Sequence, residues 1–254
     1  MPTYPDLTDD QLLRYSRHIL LPQLDVAGQQ RILNSTILVL GAGGLGSPIL
    51  MYLAAAGVGE IRLADGDQVD ETNLQRQIVH RLSSVGNPKT RSAKATLADL
   101  NPDCRVVEID SDLDEAGIRE WARGCDAVII GTDNFASRYA ANRVCLDLRI
   151  PLISGAAIGL AGQVSVFDFR RDDSPCFACL YPDGRDEQLS CATAGVLGPV
   201  VGMIGTVQAT ETLKVLAGFG EPLVGKLLTL DAFDLNWQRF TFKRDERCTV
   251  CGIK

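Results

Sequence analysis

The run Gly41-Ala42-Gly43-Gly44-Leu45-Gly46 has the spacing G-x-G-x-x-G. Glycine here lets the backbone turn tightly and approach a phosphate, while the N–H groups and positive dipole end of a following helix attract an anion. The plain alternative is a structural strand-to-helix turn. Asp65 lies nineteen residues beyond Gly46, near the spacing of an acid that accepts hydrogen bonds from ribose hydroxyls and repels a 2′-phosphate. On these features alone the chain would be an NAD-dependent dehydrogenase. Asn73-Leu74-Gln75-Arg76-Gln77 and Asn87-Pro88-Lys89 argue otherwise. A hydride-transfer cofactor has little use for such a cluster. A triphosphate undergoing cleavage needs cations against developing charge and fixed donors that hold the reacting groups in line. Singly, Arg76 and Lys89 would pass for solvated surface charges; the flanking amides and Pro88 favour function. Thr132-Asp133-Asn134 adds a carboxylate able to hold Mg²⁺ carried by ATP, or to cap the helix that follows.

Cys176-Phe177-Ala178-Cys179 and Cys248-Thr249-Val250-Cys251 are two C-x-x-C pairs with 68 residues between them. Together they predict one tetrahedral Cys₄ zinc site, closed to water and therefore structural. A redox pair would explain one motif and leave the other unused. Cys104, Cys125 and Cys145 fall in or beside predicted core elements, as small hydrophobes. Cys191, in Gln188-Leu189-Ser190-Cys191-Ala192-Thr193-Ala194-Gly195, falls in a segment expected to be exposed and is a candidate reactive thiol.

These groups need elements to place them. Thr36 to Leu40 ends at Gly41 and reads as a buried parallel strand, the glycine loop opens a helix over 45–56, and Ile61 to Asp65 is a second strand, completing a βαβ unit. The alternation continues with a helix over 90–100, a strand over 105–109, a helix over 114–122 and a strand over 127–130. A capping box at Thr8 and Gln11 opens an amphipathic helix over 8–20 that carries Arg14, Arg17 and His18. Beyond Pro151, alternation over 163–169, the aliphatic run 227–230 and alternation over 237–242 predict antiparallel strands flanking a buried helix in 194–207. That stretch contains Pro199 and four glycines, too short and too broken to span a bilayer. Close helix packing accounts for the small-residue spacing of Gly198 and Gly202. The fold class is α/β: a doubly wound, Rossmann-like, mostly parallel sheet with an antiparallel C-terminal extension and a structural zinc site.

The chain's 254 residues are 46% hydrophobic and 22% charged, enough apolar material for a sizeable core. A formal net charge of −7 disfavours nucleic-acid binding through bulk charge. No basic, then apolar, leader opens the sequence, and eight cysteines are too few for a disulfide scaffold, so a reducing cytoplasm is expected.

Arg14-Tyr15-Ser16-Arg17, Gly41 to Gly46, Asn73 to Gln77, Pro88-Lys89, Thr132-Asp133-Asn134 and the two C-x-x-C pairs, in that order, resemble the MoeB/ThiF/HesA adenylyltransferases, bacterial relatives of ubiquitin-activating enzymes. The resemblance runs from about Leu12 to Gly252. It implies a single adenylation domain over 1–254, with a nucleotide-binding part over about 35–155 and a carrier-binding and zinc part over about 156–254. It also implies ATP-dependent adenylation of the C-terminal glycine carboxylate of a small β-grasp, ubiquitin-like sulfur-carrier protein. By the same resemblance, Gly41, Gly43, Gly44, Gly46 and Asp65 would hold the nucleotide, with Thr72, Asn73, Leu74, Gln75 and Arg76 around the phosphates. Lys89 would stabilise the transition state, Asp133 would serve Mg²⁺ and Asn134 the nucleotide. Arg17 would reach the neighbouring subunit's site in a homodimer. Cys191 aligns with the cysteine that in some members forms a thioester or persulfide link to the carrier. Members that also transfer sulfur often bear a rhodanese domain; only Gly252, Ile253 and Lys254 follow Cys251, so an external sulfur donor is expected. Ser154-Gly155-Ala156-Ala157 with Gly162-Gln163 is similar to the molybdopterin-synthase activators of molybdenum cofactor biosynthesis. Tyr181-Pro182-Asp183 is more similar to the thiamine-pathway enzymes, the alternative carrier assignment. A non-catalytic carrier-binding scaffold is the further alternative, against which Arg76, Lys89 and Asp133 argue.

Overall fold

In β1 (Thr36–Leu40) and β4 (Ala127–Ile130) every second side chain turns to the opposite side of the sheet. A computed structural model describing residues 4–132, 134–182 and 195–252 shows what each side meets. Ile37, Val39, Ala127 and Ile129 enter one hydrophobic core, and Leu38, Leu40, Val128 and Ile130 enter a second. Both faces are covered, so the strands are apolar throughout, as parallel strands between helical layers must be.

The sheet has eight strands in the order β3-β2-β1-β4-β5-β6-β7-β8. β2 (Glu60–Ala64), β3 (Arg105–Ile109) and β5 (Leu152–Ile158) join β1 and β4 in the parallel part. β6 (Ala161–Phe167), β7 (Lys226–Asp231) and β8 (Asn236–Thr241) continue it antiparallel. The doubly wound, mostly parallel class is as expected. The C-terminal strands extend the same sheet, as expected, and along the chain they stand on either side of the buried helix, which packs on β5 and β6.

The first core is closed by α3 (Asp25–Leu33), α4 (Gly46–Ala55), α5 (Lys89–Leu100) and α9 (Gly198–Ala217). The second is closed by α6 (Glu115–Ala122), α7 (Phe135–Leu148) and α8 (Phe177–Leu180). The expected N-terminal helix is two, α1 (Asp9–Arg14) and α2 (Ser16–Ile19), with the Thr8–Gln11 capping box in place. The break falls at Tyr15, whose buried ring fills the space above Gly57 and whose hydroxyl accepts from Asn101 Nδ2 at 2.9 Å.

Packing under α9 is close. A Cβ at Gly205 would stand 2.5 Å from the Leu45 carbonyl oxygen and from Pro48 Cγ, and one at Gly162 would stand 2.3 Å from Ile204. Close packing therefore explains Gly205, and also Gly198, where a Cβ would stand 2.7 Å from the Gln75 carbonyl oxygen. It does not explain Gly202, where a Cβ would meet nothing within 4 Å.

Gly205→Ala is therefore expected to overpack the α4–α9 contact and cost about 1–3 kcal/mol. Gly202→Ala should be neutral, or stabilising by up to about 1 kcal/mol through helix propensity. Denaturant melts of the two variants against wild type check the pair.

Candidate functional site

Strand order reverses between β1 and β4: α4, after β1, packs on the first core, and α7, after β4, on the second. In a doubly wound sheet the crevice at the strand carboxyl ends beside such a divide is where ligands bind. Two glycines make this crevice possible. Gly41 leaves β1 at φ +98°, and a Cβ there would also touch the Gly131 backbone at 3.0 Å. A Cβ at Gly46 would lie 2.1 Å from the Gly41 carbonyl oxygen. Any side chain at Gly46 would force the loop open.

A cleft of about 680 Å³ lies at this point, large enough for a nucleotide-sized ligand. It gathers Gly41, Gly43, Gly44, Asp65, Asn73, Arg76, Lys89 and Asn134, all expected from sequence. Asp65 is buried, and both its oxygens accept backbone N–H groups, Oδ2 from Ala42 at 2.7 Å and Oδ1 from Asp67 at 2.9 Å. Burial pushes its pKa up, opposed by the Lys89 charge and those two N–H bonds. Each carboxylate oxygen keeps further acceptor capacity for ligand hydroxyls. Lys89, buried at the start of α5, reaches Asp67 Oδ2 at 2.7 Å, where the carboxylate is largely exposed. Arg76 donates to the Thr72 carbonyl at 3.3 Å. Asn134 caps α7, its Oδ1 accepting from Ser137 N–H at 2.8 Å; the capping role considered for Asp133 is therefore already filled.

The cleft also presents residues that sequence reasoning had not assigned. Asp67 sits two residues past Asp65, and Gln77 ends the Asn73 to Gln77 run; both were legible as members of those motifs. Arg138 lies one helical turn beyond Asn134, donates to the Thr132 carbonyl at 3.0 Å and places its guanidinium over the Phe135 ring. Gln77 Oε1 and Thr132 Oγ1 are buried without a hydrogen-bond partner among the described residues. Unsatisfied polar atoms facing a cleft are what a polar ligand would satisfy.

Several expected residues stand elsewhere. Gly46, Thr72, Leu74 and Gln75 do not line the cleft, and the Gln75 backbone instead packs against Gly198 at the start of α9. Arg17 is exposed on α2, outside its own chain's cleft. Asp133 and Cys191 lie outside the described residues.

The Sγ atoms of Cys176, Cys179, Cys248 and Cys251 all lie within 4.8 Å of one another, and the group could hold a metal ion. α8 presents the first pair, with Cys176 as its N-terminal cap and Phe177 buried beneath it. Cys179 Sγ accepts N–H bonds from Asp245 at 3.4 Å and Cys176 at 3.5 Å, and Cys248 Sγ accepts one from Val250 at 3.5 Å. The Cys176 thiol and these N–H groups push the Cys179 pKa down to about 4, favouring a thiolate. Cys104, Cys125 and Cys145 are core residues, and burial pushes Cys104 and Cys125 up to about 12.

The ThiF family model matches residues 15–250. The chain is 43% identical over 244 residues to the SAMP-activating enzyme E1 of Haloferax volcanii, covering 95% of this chain and 89% of the relative. It is 40% identical to the molybdopterin-synthase adenylyltransferase of Escherichia coli (97% and 99% covered) and 39% identical to the sulfur carrier protein ThiS adenylyltransferase of the same organism (97% of each). Among solved structures, E. coli MccB with MccA-N7isoASN superposes with a TM-score of 0.84 at 24% identity, over 95% of this chain and 75% of that one, a likeness of fold.

The core thiols carry a direct expectation. At pH 8 Cys104 and Cys125 should resist iodoacetamide in the native protein and react fully once it is denatured, since only the thiolate is nucleophilic. Peptide mapping before and after denaturation checks this.

Proposed function

The chain belongs to the ThiF family, and from that premise we propose that it adenylates the C-terminal glycine carboxylate of a small β-grasp sulfur-carrier protein, using MgATP and releasing pyrophosphate. The observation that carries the reading is the convergence of the glycine loop, Asp65, Asn73, Arg76 and Lys89 on one cleft at the sheet's divide. A carboxylate oxygen attacks the α-phosphorus, a new C–O–P bond forms, and the bond to the β-phosphate breaks with its electron pair leaving on pyrophosphate. Anions are brought together throughout, so the barrier is lowered by cations, backbone donors and orientation, with no general base needed. Asp65 would bind the ribose. Asn73 and Arg76 would hold the phosphates, and Lys89 would leave Asp67 for the reacting phosphate oxygens. Asp133 would hold the Mg²⁺, which screens phosphate charge, and Asn134 would steady the nucleotide.

The favoured carrier is the small subunit of molybdopterin synthase, on the similarity at Ser154 to Ala157 with Gly162-Gln163, and the thiamine-pathway carrier is the alternative, on the similarity at Tyr181-Pro182-Asp183; identities of 40% and 39% to the two E. coli adenylyltransferases fit both. The carrier would dock on the part over about 156–254. Edge strand β8 leaves Trp237 and Phe240 39% and 51% exposed and Phe233 beside them at 84%, which suits strand addition by a β-grasp partner. A homodimer is supported by Arg17, outside its own cleft, and by exposed Leu13, Leu20 and Leu21 around it. The four-thiol donor set suits Zn²⁺ held by Cys176, Cys179, Cys248 and Cys251 in a closed structural site. The free thiols among the described cysteines are in keeping with a reducing, cytoplasmic setting.

Purified protein should exchange labelled pyrophosphate into ATP only when a carrier is added, and the carrier that supports exchange identifies the pathway. Lys89→Ala and Asp133→Ala should each lower exchange by about 100-fold or more with the fold intact, whereas Cys191→Ala should retain most of it. Exchange without carrier, or NAD reduction by small alcohols, would overturn the reading; carrier binding without exchange would favour a scaffold.

Elemental analysis should find one zinc per chain. Cys176→Ser or stripping with a strong chelator should lower the melting temperature rather than abolish chemistry selectively. A metal-free protein of unchanged stability would contradict the zinc assignment.

A further inference from the structure

His80 is 4% exposed and follows the Asn73 to Gln77 run without lining the cleft. Its ring bridges two elements. Nε2 lies 2.9 Å from the carbonyl oxygen of Ala42 in the glycine loop, and Nδ1 lies 2.9 Å from Ser92 Oγ on α5. Ser92 is one turn along that helix from Lys89. The carbonyl only accepts, so Nε2 must carry the hydrogen; Ser92 Oγ stands within reach of both Nδ1 and, at 2.8 Å, Ser84 Oγ, so in the neutral ring its one hydroxyl hydrogen serves these two acceptors between them. Burial is the largest effect on His80 and lowers its pKa; the bond to Ala42 opposes this, and the charges of Lys89 and Arg81 add to it.

The Ala42 N–H is in turn held by Asp65 Oδ2 at 2.7 Å. One loop residue thus has its donor and its acceptor each fixed by a buried side chain. The peptide that follows is trans, so its N–H, on Gly43, points opposite to the carbonyl that His80 holds. Gly43 itself lines the cleft.

We propose that His80 is a positioning residue of the nucleotide site: it fixes the Ala42–Gly43 peptide so that the Gly43 N–H is preset for a phosphate oxygen, and it ties the loop to the helix that brings Lys89. The inference rests on the nucleotide reading of the cleft. A histidine that merely filled core space would affect stability alike for either replacement and leave nucleotide affinity alone.

Replacement chemistry separates the two ring contacts. The amide of His80→Gln can place an N–H near the Nε2 position, whereas His80→Asn reaches only the Nδ1 position and loses the loop. Calorimetric binding of a non-hydrolysable ATP analogue is the first readout, and the KM values for ATP and for carrier in the exchange assay are the second. His80→Asn should weaken analogue binding and raise the KM for ATP by about tenfold, the loss of one well-placed hydrogen bond. Its carrier KM should stay within twofold, and His80→Gln should stay within threefold of wild type throughout. Wild-type analogue affinity in folded His80→Asn, or equal losses in both variants, overturns the proposal. If His80→Asn does not fold, Ser92→Ala decides, because it keeps the ring but removes the hydroxyl that Nδ1 contacts: weaker analogue binding at unchanged carrier KM upholds the positioning role, and wild-type binding overturns it. A wild-type protein that does not bind the analogue at all refutes the nucleotide reading, and the inference with it. A wild type that binds beside an unaltered variant refutes only the inference.

Discussion

Everything at the cleft depends on a backbone contact that leaves no room for a side chain. The Gly41 carbonyl lies against Gly46, and Gly41 itself lies against Gly131 at the end of β4. Parallel strands about 4.8 Å apart offer little space between their outgoing chains. Side-chain-free residues on both strand exits let the loop fold back across the divide, so that the start of α4, and with it the positive end of its dipole, faces the crevice. Asp65 arrives on the neighbouring strand β2 and fastens the same loop through Ala42. The polar side chains are useful only because that backbone geometry has already placed them.

The electrostatics follow a similar economy. A buried carboxylate such as Asp65 is disfavoured in its charged form, and a raised folded pKa means its ionisation opposes folding once the pH exceeds its unfolded value. Lys89 offsets part of that cost. Its direct partner is Asp67, whose carboxylate is largely exposed while the Lys89 ammonium is buried. The cation is therefore placed to exchange a solvated partner for an anionic ligand.

Much of this was legible in the residues, for reasons that vary by element. The strands over 36–40 and 127–130 declared themselves because burial on both faces leaves an uninterrupted aliphatic run, and that over 105–109 through its β-branched Val106, Val107 and Ile109. β5 did not, since Gly155, Ala156 and Ala157 have little strand propensity; a Cβ at Gly155 would stand 2.3 Å from Gln208, so α9 demands smallness there. α3 was missed, with only Gly28, Gln29 and Ile32 buried along it. The alternation over 237–242 promised a buried face, but β8 is exposed along its whole length: pattern reports what could be covered, not what the chain itself covers. At the site, motif members were found because loop chemistry is local in sequence. Arg138 was not, because its place depends on how α7 turns away from β4.

The two cysteine pairs have a mechanical consequence for the sheet edge. Among the described residues β8 pairs with β7 alone, and none of its side chains is fully buried, the profile of a segment that opens at low free energy. Just beyond it the chain is pinned: Phe242 N–H bonds the Gly225 carbonyl at 2.9 Å, Arg244 bonds the carbonyls of Asp172 and Cys251, and the sulfur cluster gathers Cys248 and Cys251 beside α8. Its other end is a hairpin tip with exposed Phe233 and with Leu235 held at φ +57°. Fraying is thus directional. Amide exchange and proteolytic nicking should enter at the tip and travel toward the cysteines, so the edge works as a flap hinged at its sulfur end.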